Sequence, residues 1–269
     1  MTPFVLLAVF AHPDDEAFGT GGTLARYAAE GCEVYLVTAT RGEAGEIARP
    51  GLATPANLPA VREQELRCAC RNYGIHPPIF LDYVDGQLPI VHQGQAVGKL
   101  VRIIRELRPQ VMITFGPEGI YGHYDHLAVH RWATAAHELA ADPDCFPDCA
   151  PCQPHLVSKL YHRVLHEDSL QARSDSGQRA AVLMDGVPFP FVGYPSSQIS
   201  AVLDISPFVE QKRQGILCHA TQVGDASRYA TAPEEIFADH WFSHETFHLA
   251  YSSVGWPVGQ EDDLFARLR

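Results

Sequence analysis

The sequence predicts an α/β protein, a Rossmann-like, mostly parallel sheet with helices on both faces. Short continuous apolar runs such as "FVLLAVF" and "VMITFG" recur along the first half of the chain. Between them lie amphipathic stretches of about ten to fifteen residues, closed by Gly or Pro. Strands alternating with helices of that length imply right-handed crossovers, which bury a parallel sheet on both sides.

Taken in order, "FVLLAVF" (4–10) reads as a buried strand, "GTLARYAAEG" (22–31) as a helix closed by Gly31, and "EVYLVTAT" (33–40) as the second strand. "VREQELRCACRNYG" (61–74) is helical, "IFLDYV" (79–84) a strand, "AVGKLVRIIRELRP" (96–109) a helix stopped at Pro109, and "VMITFG" (111–116) a strand. A helix over 125–141 leads into a Cys/Pro/Asp loop at 142–155, then a strand in "SKLYHRVLH" (158–166). Gly, Ser and Pro punctuation makes much of 144–200, above all 167–200, an irregular cover segment. "SPFVEQKRQGILCHAT" (206–221) opens with a Ser cap followed by Pro, a helix start. With no repeat or linker, residues 1–269 read as one domain.

The formal charge of −12 opposes nucleic acid and anionic membranes as partners and favours a small molecule. No stretch reaches the roughly 18 to 20 apolar residues of a membrane helix, and the first apolar run lacks the basic flank of a secretory signal. A cytoplasmic location is the expectation; oligomeric state, homo-oligomer included, is left open. Seven cysteines in a chain of this length are expected to be reduced thiols. The cluster Cys145, Cys149 and Cys152 has a spacing that a metal could use with His155, or is a solvent loop.

In open parallel sheets, ligands bind beyond the carboxyl ends of the strands, near a switch in strand order. "AHPDDE" (11–16) places His12, Asp14 and Asp15 just beyond the first strand. "PEGIYGHYDHLAVH" brings Tyr121, His123, Asp125, His126 and His130 beyond the strand "VMITFG". His12, Asp15 and His126 form a two-histidine, one-carboxylate set, and hydrolytic zinc typically takes three protein ligands and leaves one position open. Asp14, pointing elsewhere, suits the general base that takes a proton from activated water. His130 reads as packing rather than ligand. "GTGGT" lacks the dinucleotide spacing, so its glycines are expected to let a helix start close under a crowded loop.

These residues resemble the LmbE-like (PIG-L) family of zinc-dependent de-N-acetylases of N-acetylglucosamine conjugates. "AHPDDE" matches the first family motif and "YGHYDH" (121–126) resembles the second, with weaker echoes in "TRGEAGE", "REQEL", "DGQL" and "HATQ" (219–222). The resemblance implies a hydrolase that removes acetyl from the N-acetylglucosamine part of a small conjugate, with metal ligands at His12, Asp15 and His126 and the base at Asp14. It further implies that His123 stabilises the tetrahedral intermediate and protonates the amine, that Asp125 orients His123, that Tyr121 polarises the carbonyl, and that Arg62 and Asp85 contact substrate. Tyr124 departs from the second motif, and 140–200 matches it poorly. The aglycone stays open, as does the ion, because nitrogen and oxygen ligands accept Zn²⁺ and Fe²⁺ alike.

Two rival readings use the same residues. "HPD" with a later His fits the facial triad of non-haem iron oxygenases, which rest on an all-β barrel; alternatively the chain is an inactive sugar-binding relative. "HETFH" (244–248) matches a zinc-protease pattern that needs a helix, whereas its composition favours a strand-like or irregular piece, with His240, His244 and His248 at the surface or an interface.

Overall fold

The computed structural model describes residues 3–147, 153–177, 180–184, 186–224, 228–231 and 239–269. Five parallel strands, β1 (Val5–Phe10), β2 (Glu33–Thr38), β3 (Ile79–Phe80), β4 (Val111–Phe115) and β5 (Lys159–His166), lie in the order β3-β2-β1-β4-β5. β1 is buried from its second residue on and β4 along its whole length. A strand covered on both faces needs apolar residues at every position, which explains the unbroken runs. α1 (Asp15–Ala29), α2 (Leu58–Tyr73) and a later helix, Val209–Cys218, pack together on one face; α3 (Gln93–Leu107) packs on the other. There it meets α5 (Tyr124–Leu139), which follows the single turn α4 (Gly119–Gly122).

After β1 the chain builds the sheet in one direction through β2 and β3, then returns to place β4 on β1's other side. That reversal opens a crevice beyond the carboxyl ends of β1 and β4, where both ligand-bearing loops lie. The parallel sheet differs from the all-β barrel on which the oxygenase reading rests.

Several sequence expectations need correction. α1 begins at Asp15, well before residue 22, and runs through the glycine cluster. The glycines serve close packing inside the helix: a Cβ at Gly22 would lie 2.7 Å from Ile205, and one at Gly21 2.9 Å from the Tyr73 hydroxyl. β3 is two residues rather than 79–84, because Asp82 turns the chain through a positive φ of 60°. Residues 167–200 hold more regular structure than expected: α6 (Glu167–Asp175), a hairpin of β6 (Ala181–Met184) with β7 (Val187–Pro190), and β8 (Gly193–Tyr194) on β5. The expected helix 206–221 is a short turn followed by α7 (Val209–Cys218), broken at His219.

β9 (Ala201–Asp204) and β10 (His244–Ser252) extend the sheet antiparallel beyond β5. "HETFH" therefore begins a strand. Its Glu245 is fully buried, accepts the amides of Gly22 and Thr23 at 3.1 and 2.8 Å, and pairs with Lys212 at 3.0 Å, so it fastens α1 and α7 to the sheet. His240 and His244 stack at the surface, 4.0 Å between centroids.

The thiols are not all reduced, for Cys68 on α2 and Cys218 at the end of α7 form a disulfide, their Cα atoms brought within 5.8 Å by the packing of the two helices. Of the cluster at 145–152, Cys149 and Cys152 lie outside the described residues. Cys145 donates to the Asp142 carboxylate at 3.3 Å, and the His155 ring contacts the Pro109 carbonyl.

Candidate active site

β1 ends in a tight turn whose amides fold back onto Asp15. Asp15 Oδ2 accepts the backbone N–H of Ala11 at 3.2 Å and of His12 at 2.7 Å. This fixes the carboxylate between two imidazoles: Oδ2 is 3.5 Å from His12 Nδ1, and Oδ1 is 3.2 Å from His126 Nε2. His126 comes from the first turn of α5, and its Nδ1 contacts the Gly119 carbonyl at 3.1 Å. Gly119 has to be glycine, since its φ is 60° and a Cβ there would meet the His126 Cβ at 2.9 Å.

His126 Nε2 is buried and makes no hydrogen bond. A buried nitrogen without a donor or acceptor, facing a carboxylate that also faces a second imidazole, is the arrangement expected of ligands to a shared cation. On the far side of His12, Nε2 lies 2.9 Å from Asp85 Oδ1 and 3.2 Å from Asp125 Oδ2. Carboxylates behind a histidine in this way fix its tautomer and raise its basicity as a ligand. Among the described residues, two sets of three groups bring one ligand atom each within 4.8 Å of one another: His12, His123 and His126, and His12, Asp85 and Asp125. Neither contains Asp15. Asp15 stands beside both His126 and His12, its Oδ1 3.2 Å from His126 Nε2 and its Oδ2 3.5 Å from His12 Nδ1, while Asp85 accepts the Ala44 amide and Asp125 the amides of Gly86 and Leu88.

The electrostatics follow from burial and from these neighbours. Burial alone would depress the His12 imidazole, but its hydrogen bonds to the carboxylates of Asp125, Asp15 and Asp85 hold it well above its ordinary value. Burial would raise Asp15; the charge of the nearby His126 and the neighbouring His12 carry it well below the usual carboxylate range. Asp14 goes the other way: burial, only partly opposed by Arg62, pushes it up to about 6. His123 is depressed to about 4 by burial and by the neighbouring His126 and His12. Tyr121 is raised by burial and stays a hydroxyl donor.

The predicted residues do meet in one place. His123 lies with its ring centroid 4.9 Å from His12 and 4.7 Å from His126, and Tyr121 with its ring 5.3 Å from His126. Ile120, beside Tyr121, has a φ of 69°, an unusual posture for a β-branched residue. Three expected contacts look different in detail. Asp125 touches His123 through its backbone, whose N–H donates to His123 Nδ1 at 3.2 Å, while its carboxylate faces His12. Arg62 is buried and turned inward, donating to the carbonyls of Gly42 and Pro13 and to Asp14 Oδ2 at 2.7, 2.5 and 3.2 Å. Asp85 is turned toward His12. His130 contacts the Phe115 carbonyl at 2.9 Å, packing as expected.

Two buried residues escaped the sequence assignment. Glu16 accepts the Asp14 amide, and His219 contacts Glu16. Glu16 closes "AHPDDE" and His219 opens "HATQ", so the motif echoes contained both, but nothing in the spacing said that they touch. Beside the site lies a cavity of about 420 Å³, with Asp14, Asp15, Tyr121 and His126 in its wall and Arg163 and Phe242 farther along it. That volume is in the range of small-molecule sites.

Residues 7–137 match a family model described as PIG-L, GlcNAc-PI de-N-acetylase. A 1D-myo-inositol 2-acetamido-2-deoxy-alpha-D-glucopyranoside deacetylase of Salinispora arenicola (strain CNS-205) is 37% identical over 288 residues, covering 98% of this chain and 91% of the relative. Two solved structures are each 20% identical. N,N'-diacetylchitobiose deacetylase from Pyrococcus horikoshii has a TM-score of 0.70 and covers 92% of this chain and 84% of its own. GalB, the 4-carboxy-2-hydroxymuconate hydratase from Pseudomonas putida KT2440, has a TM-score of 0.68 and covers 95% and 100%. One fold thus serves a deacetylase and a hydratase, and the choice between such chemistries rests on the site and on sequence. With two motif-bearing loops facing each other at the β1/β4 switch and identity above a third along almost its whole length, the chain belongs to the LmbE-like, or PIG-L, family.

Proposed function

We propose that this protein is a metal-dependent deacetylase that hydrolyses the acetamide of an N-acetylglucosamine conjugate. The inositol glycoside named for its relatives is the first substrate to try. The observation that carries the reading is the buried, unbonded Nε2 of His126 facing the carboxylate of Asp15, with His12 on that carboxylate's other side. His12, Asp15 and His126 would hold a divalent ion, Zn²⁺ or Fe²⁺. When bound, it would polarise a water and the acetamide carbonyl.

The chain's own groups supply the proton movements. Asp14, with a pKa near 6, is ionised at neutral pH yet basic enough to accept the proton of the attacking water. His123 Nδ1 accepts the Asp125 amide, so the ring proton sits on Nε2. Burial keeps that ring neutral, and a cation nearby would keep it more so. A neutral Nε2–H donates a hydrogen bond to the developing oxyanion, with the Tyr121 hydroxyl as a second donor. A neutral imidazole has no spare proton for the departing nitrogen. Asp14, having taken one from water, returns it there as the C–N bond breaks, and the free amine leaves with acetic acid, which keeps water's second proton until it ionises in solvent.

Incubation with a panel of N-acetylglucosaminides, reading free amine and bound metal together, tests the proposal. His126→Ala should lose the ion and turnover together, as removal of one of three ligands opens the site. Unchanged metal content in that variant, or no amine release from any N-acetylglucosaminide by the metal-loaded protein, would overturn the reading.

A further inference from the structure

We propose that Glu16 and His219 form a positioning pair that holds Asp14 in its working posture; this rests on Asp14 being the proton acceptor. Asp14 has φ 105° and ψ −26°, a left-handed conformation that a residue with a Cβ adopts only when its surroundings impose it. Two sets of contacts impose it. Arg62 Nη2 holds the Pro13 carbonyl and Asp14 Oδ2 from one side. From the other, the Asp14 N–H donates to Glu16 Oε2 at 3.0 Å, and Glu16 Oε1 lies 2.7 Å from His219 Nε2.

Glu16 and His219 are 1% and 0% exposed, so neither serves solubility. His219 sits where the chain breaks after α7, and its neighbours are anchored by one face of α2. Arg62, Glu65 and Cys68 follow one another at intervals of three residues, hence on one side of that helix. Arg62 grips Asp14. Glu65 accepts the Thr221 N–H at 2.7 Å and its hydroxyl at 2.6 Å, and Cys68 is bonded to Cys218. Residues on both sides of His219 are thereby fixed to the helix that also fixes the base, and Glu16 connects the imidazole to the Asp14 amide. The geometry brings the first residue of "HATQ" against the last of "AHPDDE", 203 positions earlier in sequence.

The test is a double-mutant cycle with Asp14. Glu16→Ala should lower kcat about 10- to 100-fold, the scale of a slightly misplaced catalytic group, with KM and bound metal unchanged. Glu16→Gln, which can still accept the Asp14 N–H and donate to His219, should recover kcat to within about threefold. In the Asp14→Ala background, Glu16→Ala should cause no further loss, since a residue acting only through Asp14 has nothing left to position. Should Glu16→Ala fail to fold, Glu16→Asp serves, its shorter arm being unable to reach both partners. A wild-type kcat in Glu16→Ala (or in Glu16→Asp where that variant serves), or an equal loss with and without Asp14, overturns the pair's role. Full activity in Asp14→Ala alone overturns the base assignment and this inference together.

Discussion

In the loop after β1, Asp14 is gripped by Arg62 and Glu16, and Asp15 receives the amides of Ala11 and His12. In the loop after β4, by contrast, the Tyr121 hydroxyl makes no hydrogen bond among the described residues, His126 Nε2 makes none, and His123 Nδ1 is held by a single amide. The first loop has its acceptor oriented during folding. The second leaves the donors assigned to the oxyanion, the Tyr121 hydroxyl and His123 Nε2–H, uncommitted among the described residues, available to whatever enters the crevice. The division suits amide hydrolysis, where a base has to be in place before the substrate arrives, whereas oxyanion donors act on charge that appears only during reaction.

Variants in the two loops test this contrast, beginning with the largest effect. Asp14→Ala should cut kcat by about 10²–10⁴-fold while the protein keeps its metal, as expected for loss of a general base; steady-state kinetics with metal analysis decides it. His123→Ala should cost about 10²–10³-fold in kcat with KM little changed, the signature of a donor used in the transition state. Tyr121→Phe should cost about tenfold, the scale of one neutral hydrogen bond. A greater loss for Tyr121→Phe than for Asp14→Ala would invert the contrast.

The pH profile gives the most graded effect. Asp14 acts only when ionised, so activity should fall as pH drops through about 6, and a bound cation moves that limb lower. The rate should then decline tenfold per pH unit below the limb, and Asp14→Ala should flatten it. An acid limb that survives in that variant would belong to another group.

Much of the β1 and β4 region was legible because its signals are local. Strands buried on both faces have to be apolar at every position, and polar ligands have to follow them abruptly if they are to stand at the sheet's carboxyl edge. The antiparallel β9 and β10 were harder to read, since an edge added from the far end of the chain leaves no period linking it to β5. The start of α1 was missed because glycine is a poor helix former in isolation. Only the positions of Ile205 and Tyr73 against Gly22 and Gly21 explain its presence there.

The linear chain by itself determined the sheet class, the two loops and the chemical types gathered at the crevice, since each depends on residues adjacent in sequence or on a short repeat. Tertiary structure alone decided that Arg62 faces inward to Asp14, that Asp125 turns its carboxylate to His12, and that His219 reaches Glu16. Those contacts join residues separated by tens to hundreds of positions, and which atoms meet is fixed by how α2, α5 and α7 pack on the sheet, a geometry that no local pattern encodes.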